Sequence, residues 1–321
     1  MGLLRNTLQL AKSESDKYGY HIHYAIKANS QPRILSEVKH AGFGIDCLSG
    51  QEVQHALDNG FSSNNIAFAG VGKSDWEIDL AIKKGIFTLN VESIEELEVF
   101  NERAKTFDKV MNIAVRLNPD VNAKTHRYIT TGLEENKFGI SRWQFADLFD
   151  KLRSLKNVKL IGLHFHIGSQ IESLEPFKNL CTRINEYQSL FVDQGFNVMH
   201  INAGGGLGIN YGEPDDVNNP DFGSFFQLFD DYLNLMPNQQ LHFELGRSLI
   251  ANCADLVSRV VYIKKGQKTN FMILDAGMTE LIRPALYQAY HKVENVSVDK
   301  QQGQLSYDVV GPIFESSDCF G

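Results

Sequence analysis

Lys27 stands in the run Tyr24-Ala25-Ile26-Lys27-Ala28-Asn29, behind an apolar stretch from His21 to Ile26 that reads as a buried strand. An amine ending such a strand, at the mouth of a parallel barrel, is partly desolvated. That lowers its pKa from a reference of about 10.4 and frees the neutral amine for imine chemistry; a simply solvated strand-end lysine is the alternative. A glycine run, Asn202-Ala203-Gly204-Gly205-Gly206-Leu207-Gly208, offers either a flexible turn or bare backbone whose N–H groups can approach a phosphate closely. It lacks the following lysine and Ser/Thr of a P-loop, so a nucleoside triphosphate is not indicated.

The segment Leu163-His164-Phe165-His166-Ile167-Gly168-Ser169-Gln170 puts two histidines at i and i+2, on one side of a strand. No carboxylate or cysteine nearby completes a ligand set, and no metal is expected. His166 reads as an imidazole face stacked on a flat ring, with the Ser169 hydroxyl available to a phosphate; a hydrogen-bonded core histidine is the alternative. In Phe243-Glu244-Leu245-Gly246-Arg247 an acid and a guanidinium lie three residues apart. The carboxylate can keep a heteroaromatic nitrogen protonated and the arginine can take a phosphate or carboxylate, unless the two form a plain ion pair. An amine, a phosphate cradle, a ring stacker and a carboxylate for a ring nitrogen together describe a site for pyridoxal 5'-phosphate.

These groups need a scaffold that gathers them at one end. Short β-rich runs at His21 to Lys27, Phe43 to Ser49, Ile66 to Gly70, Phe87 to Val91, Asn112 to Asn118, Lys159 to Ile167, Val198 to Gly204 and Gln240 to Gly246 alternate with amphipathic segments such as Ser93 to Thr106 and Trp143 to Leu155. Eight strands alternating with helices predict an α/β chain, a (β/α)8 TIM-type barrel over residues 1–249. Such barrels carry their chemistry at the C-terminal strand ends, where Lys27, Asp46, Arg116, His166, Gly204 to Gly206 and Glu244 fall. Denser β runs follow at Asp255 to Lys264 and Asn270 to Ala276, so residues 250–321 are expected to begin a C-terminal β-rich domain.

Composition narrows the ligands. With 321 residues, 43% hydrophobic, the chain can bury a large core. A formal charge of -8 argues against nucleic acid or an anionic membrane, which call for clustered lysine and arginine. There is no apolar run of membrane-spanning length, and Met1-Gly2-Leu3-Leu4-Arg5-Asn6 lacks the features of a secretory signal, so the cytoplasm is the expected location. Cys47, Cys181, Cys253 and Cys319 are scattered without a CxxC pair and are read as reduced thiols. Small-molecule ligands remain.

Taken together, the motifs YAIKAN, HFHIGSQ, GGGLG, ELGR, Asp275-Ala276-Gly277-Met278, RPALYQAYH and GPIFES resemble those of the diaminopimelate decarboxylases, alanine-racemase-like (fold type III) pyridoxal phosphate enzymes, from about Tyr20 onward. The resemblance implies Lys27 as the covalent lysine, His166 stacked on the pyridine ring, and Ser169, Gly204, Gly205 and Gly206 on the phosphate. It also implies Glu244 at the ring nitrogen, with Gly246 and Arg247 beside the cofactor, and Asp46, Glu52 and Arg116 as supports. Arg247, Arg283 and Tyr287 match positions that hold substrate carboxylate and phosphate, and Glu315 the acid that reads the distal amino group. The implied reaction takes carbon dioxide from meso-2,6-diaminopimelate to give L-lysine, the last step of lysine biosynthesis, in a homodimer with sites at the subunit interface.

The chain departs from the family pattern in places. Phe314 stands where the family has a cysteine thought to donate a proton, and Gln51 where it has a second glycine before Glu52. Both ends are short of the family's length, so the expectation is of a chain truncated at both ends and impaired in catalysis. Two alternatives stay beside the main reading: a non-catalytic relative that pairs with an intact subunit, and a decarboxylase of a related basic amino acid such as ornithine.

Overall fold

The computed structural model describes residues 1–122, 137–216, 220–296 and 305–321. They divide into two compact units, one of residues 1–209 and 220–253, the other of residues 210–219 and 254–321.

The first unit is a closed barrel of eight parallel strands in sequence order: β1 (His21–Ala25), β2 (Gly44–Cys47), β3 (Ile66–Phe68), β4 (Thr88–Val91), β5 (Met111–Arg116), β6 (Val158–His164), β7 (His200–Asn202) and β8 (Gln240–Leu245). Each expected strand is present, and β8 closes on β1 with His23 opposite Glu244. Three successive helices start by the same local device. Ser49, Ser74 and Ser93 cap the helices Gly50–Asp58, Asp75–Lys84 and Ile94–Thr106, and in each case the acid three residues on, Glu52, Glu77 or Glu96, reaches back to the start of its turn. These Ser-x-x-Glu boxes satisfy N–H groups that the first helical turn would leave unpaired. Outside the strands, the helix Phe222–Tyr232 turns Phe222, Phe225, Phe226 and Phe229 to one face, and Phe229 meets Phe243 of β8 edge to face at 4.8 Å. That spacing is the apolar stripe of a helix packed on a sheet.

The inside of the barrel is more polar than the branched apolar filling usual for this architecture. His23, Asp46, Thr88, Asn90, Arg116, His164, Asn202, His242 and Glu244 are all buried. Toward the N-terminal end three imidazoles form a chain: His200 Nδ1 lies 3.0 Å from His242 Nε2, and His242 Nδ1 lies 3.0 Å from His23 Nε2. A neutral imidazole has one N–H, so His242 donates to one neighbour and accepts from the other. Phe87 stacks on His23 at 5.8 Å and seals the chain.

The second unit holds a three-stranded sheet. Its β9 (Val260–Lys265) runs antiparallel to β10 (Asn270–Leu274), and β11 (Asp308–Val310) lies parallel to β10 on the other side. A five-residue helix, Arg283–Tyr287, follows the Asp275-Ala276-Gly277-Met278 turn.

The imidazole chain makes stability depend on pH. Burial lowers the pKa of His23 to about 4 and that of His242 well below its ordinary value, with His200 shifted the same way. The unfolded chain therefore binds more protons below about pH 6.5, and stability is lost as the pH falls through that value. His23 alone contributes a loss of roughly 2 kcal/mol between pH 6.5 and 5. The urea midpoint is expected to drop across that window, above the range where ordinary carboxylates titrate; a flat profile from pH 7 to 5 would contradict the assignment.

Candidate active site

Glu244, near the C-terminal end of β8, is the centre of the polar interior. Its Oε2 lies 3.0 Å from His164 Nε2, and its Oε1 accepts from Asn202 Nδ2 at 2.8 Å and from Asn90 Nδ2 at 3.5 Å. Three strands, β4, β6 and β7, thus point polar groups at the carboxylate of a fourth. Burial opposes its charge, but His164, by attraction and hydrogen bond, holds its pKa below the usual carboxylate range. Glu244 does not pair with Arg247, the plain alternative for this motif; Arg247 Nη2 instead donates to Ser169 Oγ at 3.1 Å.

The second buried carboxyl behaves oppositely. Asp46 on β2 is pushed well above its ordinary range, first by burial and next by the charge of Glu244, while Lys27 and Arg116 pull it down. Its Oδ1 is buried with no hydrogen-bond partner among the described residues. Two carboxyls in one buried interior do not both ionise readily; the one with the donors holds its charge, and Asp46 is shifted toward its protonated form.

Lys27 differs from the expectation. β1 stops at Ala25, and Lys27 rides on a 3-10 turn, Ile26–Ala28, where it is exposed rather than partly desolvated. The chain tightens there as Tyr24 Oη donates to the carbonyl of Asn29 at 3.0 Å, which lifts the lysine past the buried strand. Its charge still acts on Asp46 and on His166. Arg116, at the end of β5, pairs with Glu92 at 2.9 Å and lies 4.7 Å from the Phe138 ring. Glu52 accepts from the Leu48 N–H at 2.6 Å, so its direct role is the helix cap. Gln51 is exposed on that helix.

His166 follows β6. Burial lowers its pKa first, then Arg116 and Lys27, so the ring is neutral. Its Nδ1 accepts from the Gly205 N–H at 3.2 Å, which places the proton on Nε2. The glycines here are required by close approach: a Cβ on Gly205 would sit 1.9 Å from the carbonyl oxygen of Glu244, and one on Gly204 2.3 Å from that of Phe165. Gly206 packs against Gly168, and Gly246 against Ala25 and Ala28 beside Lys27. The loops after β6, β7 and β8 therefore converge, bringing Ser169, Gly204 to Gly206 and Arg247 together. The Gly204 N–H is taken by Asn202 Oδ1 at 2.9 Å and that of Gly205 by His166, so the Ser169 hydroxyl and the Arg247 guanidinium are the donors, and the bare glycine backbone leaves room beside them. Such a set suits a phosphate, and an ionised carboxylate inside the same rim suits a protonated ring nitrogen. The residues present fit pyridoxal phosphate.

Arg283, Tyr287 and Glu315 belong to the second unit. Arg283 and Tyr287 bound its short helix, and Arg283 Nη1 lies 3.0 Å from His291 Nε2. Glu315 is exposed on a loop held by the buried Asp318, whose carboxylate accepts from the N–H groups of Met278 at 2.6 Å and Ile313 at 2.8 Å. Sequence reasoning missed His164, Asn90 and Asn202 as the partners of Glu244. The one available signal was the period of two that puts His164 on the same side as His166.

Comparison with known proteins agrees with this chemistry. Residues 2–251 match the family described as pyridoxal-dependent decarboxylase, pyridoxal binding domain. The chain is 54% identical over 320 residues to a diaminopimelate decarboxylase of Bacteroides thetaiotaomicron, covering 99% of this chain and 82% of that one. It is 39% identical over 298 residues to one of Neisseria meningitidis serogroup B, covering 93% and 71%. The crystal structure of the Helicobacter pylori enzyme complexed with L-lysine superposes with a TM-score of 0.89 at 34% identity, over 98% of this chain and 79% of that one.

The opposite states of the two carboxyls give opposite mutational signs. Asp46→Asn reproduces the shape of a protonated acid and is expected to leave stability at pH 7 unchanged or raised. Glu244→Gln breaks a buried charged network and is expected to cost about 3 kcal/mol. Urea midpoints of the two variants check this, and the reverse order would show that the proton sits on Glu244.

Proposed function

The chain belongs to the diaminopimelate decarboxylases, within the pyridoxal-dependent decarboxylases, and we propose that the rim loops of its barrel and the Arg283 helix carry out that reaction. It is a carboxy-lyase that uses pyridoxal phosphate to convert meso-2,6-diaminopimelate to L-lysine and carbon dioxide, the last step of lysine biosynthesis. The observation that carries the assignment of residues is the buried, ionised Glu244, ringed by His164, Asn202 and Asn90.

The bound cofactor supplies an electron sink for the pair left when the carboxylate departs. Lys27, exposed at the rim, is the amine that would hold the cofactor. Glu244 keeps a proton on the ring nitrogen, because its own charge is stabilised in place and cannot relax into water. His166, neutral and fixed by the Gly205 N–H, covers the ring face without adding a competing charge. Ser169, Gly204, Gly205, Gly206, Gly246 and Arg247 take the phosphate, while Asp46 and Arg116 set the charge around Lys27. Arg247, Arg283, Tyr287 and Glu315 select the substrate through its carboxylates and distal amine.

We assign cofactor binding to residues 1–249, with Arg283, Tyr287 and Glu315 of the β-rich residues 250–321 joining Arg247 in substrate selection, in a cytoplasmic homodimer with sites at the subunit interface. One feature supports the pairing: the second unit exposes apolar side chains along β9, including Val260, Val261, Tyr262 and Ile263.

Phe314 bears on the rate. It is fully exposed and has no transferable proton, so protonation at Cα falls to water or another group. Carbon dioxide release from meso-diaminopimelate, with added pyridoxal phosphate, is expected to be about a hundredfold faster in Phe314→Cys than in the parent chain. Equal rates would remove Phe314 as the lesion, and silence in both would sink the decarboxylase reading for this chain.

A further inference from the structure

The segment after the glycine run does not stay with the barrel. Residues 210–216 group with the second unit, where Tyr211 and Asp215 meet residues around the Arg283–Tyr287 helix. The Tyr211 ring lies 4.5 Å from the Arg283 guanidinium carbon and 4.6 Å from the His291 ring. Lys292, next to His291, bridges Asp215 at 3.6 Å and Glu294 at 2.8 Å, a second tie between the same two segments.

Arg283 Nη1 and His291 Nε2 are 3.0 Å apart. A guanidinium has donors only, so the imidazole nitrogen accepts, and His291 holds Arg283 through a neutral ring with its proton on Nδ1. The aromatic face of Tyr211 covers one side of the same planar group, the arrangement in which an arginine stacks while keeping its edge donors for an anion. A long side chain with many rotamers is thereby set in one orientation before a ligand arrives.

We propose that His291 and Tyr211 are positioning residues that orient Arg283 for a substrate carboxylate. This rests on the reading of Arg283 as a carboxylate-binding residue. Tyr211 follows Gly208 by three residues, so one stretch of chain serves the phosphate cradle with its glycines and the substrate arginine with its tyrosine.

The test is the affinity of the full chain, loaded with pyridoxal phosphate, for L-lysine and for 1,5-diaminopentane, which lacks the carboxylate, by calorimetry. His291→Phe keeps a ring but removes the acceptor; it is expected to weaken L-lysine about tenfold, the cost of ordering one long side chain, and to leave diaminopentane within about twofold. His291→Gln offers an amide oxygen and is expected to restore most of the loss. Tyr211→Leu should weaken L-lysine similarly, while Tyr211→Phe, which keeps the ring face, should match the parent. Parental affinity in both His291→Phe and Tyr211→Leu, with Arg283→Lys impaired, overturns the positioning, as does an equal loss for both ligands. Parental affinity in Arg283→Lys overturns the reading of Arg283, and the positioning with it.

Discussion

A carboxylate buried inside a barrel is costly unless donors surround it, and Glu244 is surrounded. His164 from β6, Asn202 from β7 and Asn90 from β4 converge on its two oxygens. Because each donor comes from a different strand, the charge is stable only when the barrel is closed in its native register, where His164 lies opposite Asn202. The cost of isolating that charge from water is also what gives it chemical use. An anion that cannot be screened by solvent holds a proton on a ring nitrogen far more firmly than an exposed one would.

The neighbouring groups follow from this one charge. Burial and the field of Glu244 raise the pKa of Asp46, while Lys27 and Arg116 supply the opposing positive field at the rim. His166 is held neutral by those cations and by burial, and its ring is fixed by the Gly205 N–H. Gly205 packs so closely on the Glu244 backbone that no side chain fits. Ring-nitrogen partner and phosphate cradle are therefore placed by the same contact, between the end of β8 and the loop after β7. Below them, the chain His200, His242 and His23 fills the barrel with neutral donors and acceptors, so the charged layer rests on a polar, hydrogen-bonded floor.

All eight barrel strands were legible because β-branched and aromatic runs alternate with helical periodicity, and parallel closure places their C-terminal ends together. The glycine run, Ser169, Glu244 and Arg247 could be placed in the sequence for the same reason: each lies at or soon after the C-terminal end of a strand. What the sequence could not carry depends on geometry between segments far apart in the chain. Lys27 follows an apolar run and so reads as buried, yet β1 ends at Ala25 and a 3-10 turn over Ile26–Ala28 leaves the lysine exposed. Glu244 and Arg247, neighbours in sequence, find different partners, because β8 turns the glutamate inward and the following turn directs the arginine to Ser169. His291 and Tyr211 are eighty residues apart, yet they meet each other and Arg283.

Borohydride reduction of the chain loaded with pyridoxal phosphate, followed by peptide mass mapping, bears most directly on the claim that this rim is the cofactor site. A single phosphopyridoxyl group on Lys27 is the expected result, lost in Lys27→Ala. Label on another lysine, or label that persists in Lys27→Ala, would contradict the account.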